Sequence, residues 1–152
     1  MKIKFEKIIS KIEKFKVTEK VENFEIDLFF DKIGEDISSL NLKESQKNIL
    51  IQKLFEFLKN QNPEMEENFS FIHLIENIDT PSYNFYNNEL LKFNSETGTI
   101  TSILLLNRHI NSLKVNELNE CIELMKTISE NENYSENIRN YALDFYKYQT
   151  EK

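Results

Sequence analysis

His73 and Glu76 stand three residues apart, a spacing that puts an imidazole and a carboxylate on one face of a helix. Two such groups begin a metal site, and His109 beside a carboxylate would begin another. Zinc needs three or four ligands, and the chain has neither an HExxH run nor a pair of ExxH motifs. Cys121, the single cysteine, falls at an apolar helical position without a histidine partner, which reads as a small core residue rather than a nucleophile. Gly98, in Thr97-Gly98-Thr99, is too isolated to cradle a phosphate, and no basic stripe with interleaved aromatics exists to follow a nucleic acid. The expectation is a protein that is not an enzyme and that uses no cofactor and no metal.

Binding chemistry is better represented. Carboxylates stand beside aromatics near expected helix ends: Glu64, Glu66 and Glu67, then Asp79 with Tyr83 and Tyr86. Asp31 and Glu35 belong to another dense acidic stretch. Aromatics supply binding energy at the centre of an interface, and carboxylates steer and orient a basic partner. The competing reading keeps the tyrosines in the core and uses the glutamates as helix caps.

Charge supports an acidic binding surface. Residues 1–20 hold seven lysines against three glutamates, net +4, which against the chain's −7 leaves the other 132 residues at −11. Such a body disfavours nucleic acid and anionic lipid and favours encounter with a basic protein. One cysteine excludes an internal disulfide framework and fits a reducing compartment. No apolar run approaches the roughly 20 residues needed to cross a bilayer, and residues 1–9 alternate charge with apolar side chains, unlike a leader. A cytoplasmic protein without membrane contact is expected, a monomer by preference.

These residues must be positioned by helices. Two glycines and two prolines are too few for a β-rich fold, and apolar residues recur at helical intervals. The pattern predicts helices over 3–15, 23–40, from a capping box at Asn41-Leu42-Lys43-Glu44 to about 59, 63–78 with a kink near Asn68, 81–93, 97–113, 116–130 and 136–149. Asn62-Pro63 and Thr80-Pro81 read as helix starts, with a side-chain oxygen at the cap and proline at the first helical position. The helix from Thr97 is apolar on more than one face and is expected to be central. Within it, Asn107 and Asn111 should bond a neighbouring loop or helix end, and Arg108 should hold an acidic residue, together a structural motif. A chain of 152 residues fits a single domain, 1–152. The predicted fold is all-α, an irregular HEAT-like α-solenoid or helical bundle of about eight antiparallel helices.

Three segments carry a resemblance: Phe71-Ile72-His73-Leu74-Ile75-Glu76-Asn77-Ile78; Tyr83 ahead of Leu90-Leu91; and Leu104-Leu105-Leu106-Asn107-Arg108-His109-Ile110-Asn111-Ser112, with a further helix opening near Ile138-Arg139. In that order they resemble the all-helical immunity proteins of bacterial polymorphic toxin and contact-dependent inhibition systems, including those grouped as immunity protein 30-like. Ser102-Ile103 departs from the aromatic and small residue usual before the LLNR segment. The resemblance implies a non-enzymatic cytoplasmic inhibitor whose partner is a cognate toxin C-terminal domain. With the acidic surface, it leads to the expectation of a basic nuclease toxin, blocked at its active site or substrate path. The alternatives are a helical-repeat adaptor holding a peptide or partner helix in a groove, and a helical hydrolase or metal enzyme, for which no ligand set is found.

Overall fold

The computed structural model describes residues 2–80, 82–113 and 115–151, without the side chains of Lys2, Val115 and Asn116. Among the described residues there are eight helices and no strand: α1 (Lys2–Lys14), α2 (Asn23–Ser38), α3 (Glu44–Lys59), α4 (Phe69–Asn77), α5 (Asn84–Glu96), α6 (Ile100–Ser112), α7 (Val115–Glu130) and α8 (Glu136–Thr150). The all-α class expected from periodicity is what the chain adopts. Its contacts divide into two compact units, Met1–Gln61 with Asn68–Glu89, and Asn62–Glu67 with Leu90–Lys152.

The first unit is organised around aromatic rings. Phe30 meets Phe57 and Phe71 edge-on, each at 5.1 Å, while Phe15 stacks on Phe29 at 4.0 Å. Leu50, Ile51 and Leu54 of α3 are fully buried, and Phe5, Ile8 and Ile12 form the inner stripe of α1. Rings in offset or edge-on contact add to the area they bury, so this cluster fixes how α1, α2, α3 and α4 meet. At its margin Lys53 bridges Glu13 of α1 (3.1 Å) and Glu56 of its own helix (3.2 Å).

In the second unit Ile103, Leu106 and Ile110 of α6 pack with Cys121, Met125 and Ile128 of α7 and with Ile138 and Ala142 of α8. Eight of the 13 residues of α6 are buried, including Thr101, Ser102, Asn107 and His109. Burial of so many polar side chains requires internal partners. Asn107 and Asn111 each accept a hydrogen bond from the Nε2 amide of Gln149 on α8, both at 2.8 Å.

Several helix starts differ from those read in the sequence. Asn62 does not open a helix: its Oδ1 accepts from the Glu64 amide (2.9 Å) and its carbonyl from the Met65 amide (2.9 Å), closing a turn. The Pro63 carbonyl is taken by the Ile100 amide at 2.9 Å. Helix begins only after Asn68, whose Oδ1 accepts from Phe71 N–H at 3.0 Å. Residues 94–96, read as lying between helices, continue α5, and α6 starts at Ile100, three residues later than read, behind a cap where Thr99 and Ser102 exchange reciprocal bonds of 2.9 and 3.0 Å. Likewise α3 is opened not by Asn41 but at Lys43, whose amide donates to Gln46 Oε1 at 2.9 Å. Pro81, read as the first residue of a helix, lies outside the described residues; α5 begins at Asn84. On α8, Ile138 and Ala142 are buried whereas Tyr148, at the apolar spacing that continues from them, is exposed.

Candidate protein-interaction face on α2 and α4

α2 and α4 run side by side in the same direction. At their N-terminal ends, Asn68 Nδ2 donates to Asn23 Oδ1 at 2.9 Å. Further along, Gly34 lies against Leu74, and past it Ile37 and Ser38 of α2 face Asn77 and Ile78 across a groove of about 580 Å³. Its lining includes the buried or half-buried Phe30, Gly34, Ile37 and Leu74 and the exposed Asp31, Glu35 and His73.

The outward stripe of α2 reads Phe24, Leu28, Asp31, Glu35, at steps of four, three and four, so one helix face changes from apolar to acidic along its length. Phe24 and Leu28 are 61% and 63% exposed, and Phe69 of α4 is 52% exposed with its ring 6.1 Å from His73. Exposed apolar side chains of this size near one another make this face the candidate for contact with another molecule. At the acidic end Asp31 has no ion pair among the described residues, while Glu35 meets Lys32 only at 3.8 Å on the surface. The C-terminal carbonyls of both parallel helices add negative potential at that end.

The other sequence candidates fare differently. Asp79 is buried, and its Oδ2 accepts from the Phe85 and Tyr86 amides at 2.9 and 3.1 Å, so its carboxylate caps the start of α5 instead of facing a partner. Tyr86 is buried against Phe55, with ring centroids 6.1 Å apart, so it belongs to the core. Tyr83 is partly exposed and has φ 58°, in the left-handed region. In the second unit Glu64 is exposed and accepts from Asn137 Nδ2 at 2.7 Å; Glu66 is exposed and Glu67 half-buried. Burial, with Glu67 adding to it, pushes the Tyr141 hydroxyl up to about 12. Arg108 is half-buried between Asn107 and His109. Burial pushes the Cys121 thiol up, away from a reactive thiolate, with Glu120 and Glu117 adding to the effect.

The structure therefore brings Asp31 and Glu35 to one groove and leaves Asp79 and Tyr86 inside. Three contributors escaped the sequence reading: Phe24, Leu28 and Phe69. The signal for the first two was present, since they share the outward stripe of the two carboxylates. Among the described residues, no group of three or more His, Cys, Asp or Glu side chains is arranged to hold a metal, and no helix is long and apolar enough to cross a membrane. Compared with family models, curated proteins and solved structures, the chain matches none.

Proposed function

We propose that this protein is an immunity-type inhibitor that binds one cognate toxin C-terminal domain, a basic nuclease, and blocks its active site or substrate path. The observation that carries the reading is the α2–α4 face, where exposed Phe24, Leu28 and Phe69 adjoin a groove edged by Asp31 and Glu35. An apolar centre supplies affinity and a negative margin speeds encounter with a positive partner. The resemblance of the LIEN, LL and LLNR segments to immunity proteins supports the same reading. A partner of this kind covers roughly 1,600 Å² in total, more than the groove alone, so neighbouring helical surface takes part.

The test takes the gene immediately upstream, where it encodes a large protein with a compact C-terminal domain, expresses that domain with and without this chain, and scores growth and co-purification. Restored growth with a stable one-to-one complex is the expected result. Toxicity that persists beside well-folded protein rejects the reading. A groove between two helices also fits a second reading, an adaptor for a partner helix, which predicts several partners of moderate affinity and no protection.

A further inference from the structure

Gly34 is the twelfth residue of a 16-residue helix and has an ordinary negative φ, so no turn or left-handed conformation calls for glycine there. Nor does crowding: a Cβ built on Gly34 would meet only Leu74 Cδ1, at 3.9 Å, an ordinary contact. A helix interior is weakened by glycine relative to alanine. What the missing side chain provides is depth, since Gly34 lines the groove between α2 and α4 at the level of Asp31, Glu35 and His73. The geometry points to this groove as the seat of an aliphatic or aromatic side chain from the partner, flanked by lysine or arginine, with Gly34 left bare to admit it.

The choice of occupant follows from charge. Acidic side chains at the rim repel an acidic segment and leave a neutral one unsteered, whereas a basic segment gains from both carboxylates and from the helix ends beside them. The inference rests on the proposed function only in taking the partner to be a basic protein. It adds which face is used and which residue type anchors there.

The experiment uses the full chain, isotope-labelled, and three synthetic amphipathic helical peptides: leucine face with lysine flanks, the same peptide with glutamate flanks, and the lysine peptide with alanine replacing leucine. The lysine–leucine peptide is expected to bind and to shift the backbone amide signals of Gly34 and Leu74, and both controls are expected to bind weakly or not at all. Gly34→Leu, which fills the groove, should weaken binding by about tenfold or more, the loss of one anchoring side chain. Asp31→Lys with Glu35→Lys, at exposed positions, should weaken it comparably while leaving the helical circular dichroism unchanged. Absence of binding, or affinity indifferent to either variant, overturns the inference. A Gly34→Leu protein that still protects fully against the toxin removes the groove and keeps the immunity reading. Peptide binding as expected without protection removes the immunity reading and keeps the groove.

Discussion

The two glycines of the chain sit in opposite surroundings, and substitution at each should move stability in opposite directions. At Gly34 an added methyl group finds ordinary contact, so Gly34→Ala should stabilise the protein by about 0.5–1 kcal/mol, the helix-propensity difference. At Gly98 a Cβ would stand 2.9 Å from the Tyr134 ring, so Gly98→Ala should cost about 1–3 kcal/mol through overpacking. Urea unfolding of both variants checks the pair, and equal shifts would contradict the local geometry. Gln149 offers a second residue-scale test. One amide serves Asn107 and Asn111 together, and Asn107 is 7% exposed, so Gln149→Ala leaves a buried acceptor without its donor. A loss of about 1–3 kcal/mol is expected in the same unfolding measurement.

Among the helices, α6 shows how burial becomes pH dependence. His109 is buried in it, and desolvation holds the imidazole below its ordinary value of 6.5, with Glu117 opposing part of the effect. The unfolded chain therefore takes up a proton at higher pH than the folded one. Stability from this group is present above pH 6.5 and declines as pH falls through it. Denaturation midpoints should drop on acidification through that range, and His109→Gln should flatten the drop; an unchanged slope would assign it to other groups. Helix beginnings were the least legible part of the sequence at this scale. Asn62-Pro63 and Asn68 both carry cap chemistry, and the choice between them depends on Ile100, whose amide takes the Pro63 carbonyl. The cap at Ser135, by contrast, depends only on local sequence, because its partner, the Ile138 amide, lies three residues away.

For the whole molecule the governing quantity is charge, −7 in total with the excess outside the first 20 residues. Association with a basic toxin domain should slow steeply with added salt, since exposed charges are screened beyond about 10 Å at 0.1 M ionic strength. Reversing Asp31 and Glu35 together should lower the association rate and flatten that salt dependence, read by stopped-flow mixing. If the kinetics are unchanged, steering by this face is excluded. Asp79 is left out of the variant because its carboxylate caps α5, so a charge reversal there would act on folding as well.

By itself the sequence determined the all-α class and which stripe of most helices turns inward, because a period of 3.6 residues and a shortage of glycine and proline act within one turn of chain. It also determined the sign of the surface. Only the tertiary structure decided what each polar group bonds to: Asn68 finds Asn23 across 45 positions, and Gln149 finds Asn107 across 42. The same holds for the candidate site. Phe24, Leu28, Asp31 and Glu35 share a helical face on the basis of spacing alone, but the groove exists because α4 lies parallel to α2 and Leu74 faces a glycine, a pairing that no local pattern specifies.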